Sequence, residues 1–271
     1  MPNNLIPKNQ AGALFYVHSM ANFWDFFKLL SSRGFYEKYE MDLFGLLQLL
    51  GKPLILAIVY TIFLKLGFNI QRSRFDYFLF VYSGLLPWLF FRNILLFVLE
   101  SIKKNRHLIT RVYFPMLLLP LSGLYSALLE LFLGLGLLVI LTLINGHSIG
   151  FDLFILPLVI LQLSFFSFGF GLIFLYPCVI SLSLMKFIKL VLPLLLFSLP
   201  VFYAFDSGSS FIEKILSYIP LSAGIVGFRA AILNQSFPWM LFLFSSLASF
   251  GILILGLFLF TKQERKIVDL I

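Results

Sequence analysis

The chain has 271 residues, of which 61% are hydrophobic and only 12% charged, with a mean hydropathy of +1.01. Soluble domains carry about 25% charged residues, so a soluble fold could not hide this much apolar surface. The 20 Lys and Arg exceed the 12 Asp and Glu, but no RNA- or DNA-binding motif accompanies them, so the excess reads as membrane topology and anionic-lipid contact.

The first twenty residues include Asn3, Asn4, Lys8, Asn9, Gln10 and His18 and lack the continuous apolar core of a signal peptide. In segment 22–39, Phe23, Phe26, Phe27 and Leu30 recur at helical spacing, with Trp24 alongside. Lys28, Arg33, Glu37 and Lys38 supply a polar side. This pattern predicts an amphipathic helix at the inner membrane surface.

A membrane-spanning helix needs about 20 mostly apolar residues. Six segments qualify: Leu46–Leu66, Tyr77–Leu99, Phe114–Leu143, Leu153–Leu182, Phe187–Phe205 and Pro238–Phe260. The third and fourth exceed what a span needs, so tilt or cytoplasmic extension is expected. Between the second and third lies a short basic segment, 100–113, with Lys103, Lys104, Arg106 and Arg111. Such a loop is expected in the cytoplasm, where Leu108 and Ile109 could add an apolar anchor for a soluble partner. The single Cys178 excludes a disulfide framework and reads as inert packing. Segment 211–234 is apolar but broken by Pro220 and Gly224, and it carries Glu213, Lys214 and Arg229. Two short helices dipping into the outer leaflet fit it better than a seventh span.

With the N-terminus inside, the cytoplasmic segments hold Lys8, Lys28, Arg33, Lys38, Lys103, Lys104, Arg106, Arg111, Lys186, Lys189, Lys262, Arg265 and Lys266. The outer side holds Arg72, Arg74, Lys214 and Arg229. The positive-inside rule therefore places both termini in the cytoplasm.

Nucleotide chemistry has no motif. Gly45 and Gly51-Lys52-Pro53 come nearest to a phosphate-binding loop, with five intervening residues instead of four. Pro53 also stands where a magnesium-holding Ser or Thr is needed. His18, His107 and His147 are far apart, so no metal site is expected. Gly134, Gly136, Gly169 and Gly171 sit inside apolar helices, with no preceding strand to make a dinucleotide fingerprint. They read as close helix contacts. Arg92 and Glu130 are the clear mid-membrane charges. Each costs about 2.5–3.5 kcal/mol at a helix centre. Each should face the bundle interior, a cavity or a partner, as a structural ion pair, a dimer contact or part of a substrate lining.

Aromatic residues are dense, with 35 Phe and 11 Tyr. Most such rings face lipid or neighbouring helices. Tyr77, Tyr82, Trp88, Tyr113 and Trp239, near span ends, suit interfacial belts. Apolar rings can also stack weakly and repeatedly on the C–H faces of a ligand.

Ser83-Gly84 with Pro87-Trp88, then Asn105, then Phe114-Pro115 with Leu119-Pro120-Leu121, form a combined pattern. It resembles the membrane subunits of ABC exporters for O-antigen, capsule and teichoic-acid polymers. The resemblance runs back to about Arg33 and, more loosely, forward to Ile271. It implies a cytoplasmic substrate entrance at Trp24, Arg33, Lys38-Tyr39, Phe44-Gly45 and Pro53. It implies an ATPase-coupling segment at Lys103, Lys104, Asn105, Arg106, Leu108 and Arg111. It also implies an external gate with Glu213, Tyr218, Pro220 and Arg229. The pattern Pro200-Val201-Phe202-Tyr203 and the tail residues Glu264, Arg265 and Asp269 also match. Leu182-Ser183 replaces an Arg-Asp, Gly34 an Asp and Gln48 a Trp, which leaves the inner-loop contacts and the exact substrate open.

The expected architecture is one all-α integral membrane domain, 1–271. It has six transmembrane helices, an N-terminal amphipathic interfacial helix and two re-entrant external gate helices between spans five and six. The resemblance implies a non-enzymatic transport subunit, multi-pass in the bacterial inner membrane. It would act as a homodimer with two copies of a separate ATPase, moving a lipid-linked polysaccharide among membrane lipids. No cofactor is expected on this chain, with ATP and Mg on the partner subunit. Two alternatives carry different chemistry. An ABC exporter of drugs or small lipids would share the general fold, but the aromatics and the Pro87-Trp88 context favour polymer. A membrane-bound glycan ligase or polymerase would need a long outer loop carrying acids, Arg or His; the outer loops here are short, with Asp206, Glu213 and Arg229 the main candidates for such groups.

Overall fold

A computed structural model describes residues 23–39, 43–68, 73–111, 114–146, 150–204 and 216–269. In chain order its helices are α1 Trp24–Tyr39, α2 Leu43–Phe68, α3 Arg74–Lys104, α4 Arg106–Ile109 and α5 Leu118–Ile144. A 3-10 turn, Phe151–Ile155, then leads into α6 Leu156–Ile180, α7 Leu182–Ser198, α8 Pro220–Ile232 and α9 Trp239–Asp269. No strand occurs among the described residues. The chain is an all-helical integral membrane protein.

Five helices are long and apolar enough to cross a bilayer: Leu47–Lys65, Phe75–Lys104, Leu118–Ile144, Asp152–Ile180 and Trp239–Glu264. α3 and α6 form the centre and are mostly buried. α2, α5 and α9 turn most of their residues outward. Those outward residues are apolar, as with Ile55, Ile62 and Phe63 on α2, or Leu243, Leu247 and Phe258 on α9. Water would not tolerate that surface, whereas lipid does.

The fifth expected span is shifted. Its helix begins at Leu182, only one residue after α6 ends, and stops at Ser198 rather than Phe205. Pro200 disfavours helical backbone at Leu199, which is extended. The resulting 17-residue helix is about 26 Å long, just short of a hydrocarbon core of about 30 Å. Lys186 and Lys189 thus lie within a helix and not in a loop.

Local chemistry sets the ends of α3. The Ser73 hydroxyl accepts from the Asp76 amide at 3.0 Å, capping the first turn. Asn145, at the C-terminus of α5, donates to Asp76 at 2.9 Å, fixing the antiparallel pair. The helix then runs past Glu100, where its apolar stretch ends, to Lys104. Its 31 residues reach about 46 Å.

Glycines set the closest helix contact. A Cβ on Gly169 would lie 2.6 Å from the Leu253 Cα, and one on Gly256 would lie 2.4 Å from the Gly169 carbonyl oxygen. α6 and α9 therefore touch backbone to backbone. Gly134 and Gly171 likewise press on Leu86 and Val98, as expected. Gly136 does not: a Cβ there would meet nothing within 4 Å.

α1 packs through Phe26, whose ring centroid lies 4.9 Å from that of Phe114, and through buried Leu30 and Ser31. Trp24 does not join that inward face. It is exposed, stacks on Phe27 and carries Lys28 Nζ 5.6 Å above its ring. Leu29, Arg33 and Tyr36 are also exposed, so the outer side of α1 mixes aromatic, aliphatic and basic groups.

Candidate functional site

Three polar constellations stand out from the apolar bundle. The first is the hairpin between α3 and α5. It contains a helical turn, α4, where a plain loop was expected. Lys103 donates to the Cys178 carbonyl at 2.8 Å, satisfying one of the last backbone acceptors of α6. Lys104 meets one Glu100 oxygen at 2.6 Å, and Lys189 of α7 meets the other at 2.6 Å. Asn105 donates back to the Ser101 carbonyl at 2.8 Å, ending α3. The basic patch is therefore divided. Lys103 ties α3 to α6 and Lys104 pairs within α3, while Arg106, His107 and Arg111 are exposed. Leu108 and Ile109 are partly buried against the main core.

The second constellation lies where α1, α2, α3 and α5 meet. A small cleft is lined by residues including Tyr39, Gln48, Lys52, Arg92, Asn93 and Glu130. Asn93 donates to a Glu130 oxygen at 2.5 Å. The Tyr39 phenol is also hydrogen-bonded to Glu130. Burial, then the Glu130 charge and this bond, push the Tyr39 hydroxyl well above its ordinary range, so it remains a neutral donor. Arg92 and Glu130 share the cleft, yet Arg92 forms no ion pair among the described residues. Of the expected entrance residues, Tyr39 and Pro53 line this cleft. Gly45 is buried near the start of α2, while Trp24 and Arg33 face outward. The Lys38 side chain lies outside the described residues.

The third constellation surrounds α8. This helix has 13 residues, about 20 Å, and cannot cross a bilayer. Eleven of its residues, Leu221 to Ile225 and Gly227 to Ile232, are buried. It ends in a Schellman turn. Asn234 takes the left-handed conformation at φ 52°, and the Gln235 amide bonds the Ala230 carbonyl at 3.1 Å. Pro220 opens the helix, and its carbonyl accepts from the buried Gln162 amide at 2.9 Å. Gln162 also donates to Ser249 at 3.1 Å, so one side chain links α6, α8 and α9. Arg229 is buried. Its Nη2 donates to the Val201 carbonyl at 2.8 Å, and its guanidinium lies on the Phe80 ring. Tyr77 reaches the same turn, donating to the Phe202 carbonyl at 3.1 Å. Tyr218 is exposed, edge-on to Phe244. Glu213, with the rest of 211–215 in the expected gate pair, lies outside the described residues.

Sequence reasoning did not single out Asn93, Glu100, Gln162 or Lys189. Glu100 and Lys104 stand four apart on one helix, a pairing signal available from spacing alone. Gln162 carried a signal too, as an amide in the middle of an apolar span. Among the described residues no group of His, Cys, Asp and Glu could hold a metal ion.

No family model matches the chain. Curated relatives do. Two O-antigen export system permease proteins RfbA of Klebsiella pneumoniae are 23% and 22% identical over 255 residues, covering 94% of this chain and 98% of each relative. The chain resembles the ABC exporter permease family over nearly its whole length. A third relative, the O-antigen export system permease protein RfbA of Myxococcus xanthus, is 25% identical over 77% of this chain and 80% of its own length. These relatives are permease subunits of export systems. The likeness agrees with the bundle of long apolar helices.

Proposed function

We propose that this chain is the membrane-spanning subunit of an ABC transporter that exports a lipid-linked polysaccharide across the inner membrane. The observation that carries this reading is the end-to-end match to O-antigen export permeases. The long apolar helices that such a subunit requires support it. A separate ATPase subunit supplies the energy, because the chain carries no nucleotide motif of its own. Two copies of this chain build the conduit, with two ATPase copies beneath it. α7 acts as a sixth span, short for the bilayer and tolerated through local thinning. Both termini face the cytoplasm, and α1 lies at the inner interface with its aromatic and basic side toward headgroups.

Each constellation has a role in this scheme. The exposed side of α4, with Arg106, His107 and Arg111, docks the ATPase, and Lys103 and Glu100 carry its movement into α6 and α7. The cleft of Tyr39, Arg92 and Glu130 belongs to the cytoplasmic entrance. α8 is one of two re-entrant helices of the external gate, held by Arg229. Aromatic side chains line the conduit.

Deletion of the gene in its own host tests the function. The expected result is loss of surface polysaccharide, with lipid-linked glycan accumulating on the inner face of the membrane, and rescue by the gene in trans. Unchanged surface polymer in the deletion strain would refute the proposal.

A further inference from the structure

Four lysines gather where the ends of α3 and α6 meet the start of α7. Lys104 and Lys189 grip the two oxygens of Glu100, each at 2.6 Å. Lys103 lies against the end of α6 through the Cys178 carbonyl. Lys186 precedes Lys189 by three positions on α7, so both project from the same side. Four lysines against one carboxylate leave an excess of three positive charges. Lys186 is exposed and makes no internal polar contact among the described residues. The N-terminus of α7, capped by Ser181, adds its partial positive charge at the same place.

Apolar side chains interleave with this charge. Leu182, Phe187, Leu190 and Leu194 are exposed on α7, around Lys186 and Lys189. A water-soluble protein would leave such a face unsatisfied, since it offers charge at one end and bare hydrocarbon along the rest. One molecule class matches both parts. We propose that this corner binds an acidic phospholipid. Its phosphate lies against Lys186 and Lys189, and its acyl chains run along Leu190 and Leu194. Lysine stems reach along the apolar surface and place their ammonium groups at headgroup depth. The bound lipid then braces α7, which the Glu100–Lys189 pair ties to α3. This inference needs only a membrane protein and is independent of what is transported.

Native mass spectrometry of the purified full chain tests it, counting lipid retained after titration with phosphatidylglycerol or phosphatidylcholine. The unaltered chain should retain phosphatidylglycerol in preference to phosphatidylcholine. Lys186→Gln should lower that retention about fivefold, and Lys186→Gln/Lys189→Gln by at least about tenfold, as two basic contacts require. Lys262→Gln/Lys266→Gln, which removes the same charge elsewhere, should retain it as the unaltered chain does. Lys186→Gln leaves the Glu100 pairs intact, so its result does not depend on folding of the double variant. Equal retention of the two lipids overturns the proposal, as does unchanged retention in Lys186→Gln or an equal loss in the control. Loss of ATPase association with lipid retention unchanged would instead assign the corner to protein docking.

Discussion

The guanidinium carbon of Arg229 lies 3.6 Å from the centroid of the Phe80 ring, and Gly84, one helical turn beyond Phe80, leaves the space it occupies. A Cβ on Gly84 would stand 2.4 Å from Arg229 Nη2 and 3.0 Å from the Val201 carbonyl oxygen. A buried cation needs such partners to offset its desolvation. Here it has a ring face below and a carbonyl at 2.8 Å. The glycine, the ring and the arginine therefore act as one unit that fastens α8 to α3 and to the Val201 turn.

Gly84→Ala should displace Arg229 and cost about 1–3 kcal/mol, the range for forcing bulk into a packed site. Arg229→Gln removes the ring contact and should weaken or lose the carbonyl bond, with a loss of similar size. Thermal unfolding in detergent measures both. The Gly84→Ala/Arg229→Gln double variant should be less destabilised than the sum of the singles, because the two changes remove one shared contact. Strict additivity would show that the two positions act independently.

Gly169 and Gly136 provide a matched pair. Gly169→Ala places a methyl group against the backbone of α9, which no side-chain rotation can relieve. Loss of about 1–3 kcal/mol and a lower yield of folded protein are expected. Gly136→Ala meets open space and replaces a helical glycine, so it should be neutral or stabilise by up to about 1 kcal/mol. Gel-filtration profiles after heating distinguish the two. Equal behaviour would contradict the close α6–α9 contact.

What the sequence makes legible follows from the kind of physics involved. Long apolar runs depend on hydropathy alone, so the helices around Leu47–Lys65, Phe75–Lys104, Leu118–Ile144, Asp152–Ile180 and Trp239–Glu264 lie close to where composition places them. Helix ends depend on single residues. The end of α7 moved from Phe205 to Ser198 because Pro200 restrains Leu199. Partner choice depends on three-dimensional proximity, which spacing along one helix does not encode. Arg92 and Glu130 stand out as costly charges in any sequence reading. That Glu130 takes Asn93 and Tyr39 required three helices to be packed together. Lys103 looked like part of a docking patch because its neighbours are basic. The Cys178 carbonyl that it serves is 75 residues away.

Orientation is set by the distribution of Lys and Arg. In a Cys178→Ser background, Ser236→Cys lies in the exposed turn between α8 and α9, and Lys262→Cys is exposed near the other end of α9. An impermeant maleimide applied to intact cells should label the first and spare the second. Lysis should make both reactive. The opposite pattern would invert the topology and move the hairpin at α4 to the outside.

Coupling through α4 makes the last expectation, and the packing of the hairpin decides which residues can test it. Leu108 is partly buried against the core, so Leu108→Asp would disturb the hairpin as well as any docking face. Arg111 is exposed, and no internal bond of its side chain occurs among the described residues. Arg111→Glu should therefore leave insertion and thermal stability within about 0.5 kcal/mol of the unaltered chain, as for most surface changes. If an acidic groove of an ATPase receives this loop, the reversed charge should slow association and weaken it most at low salt. Co-purification with the ATPase across a salt series, together with ATP hydrolysis in lipid, provides the measurement. The lone chain should hydrolyse no ATP in either form. Lys103→Gln is the complementary change: it removes the tie to the Cys178 carbonyl and should uncouple hydrolysis from export while association persists. Unaltered association and export in both variants would leave the hairpin as a topology anchor only.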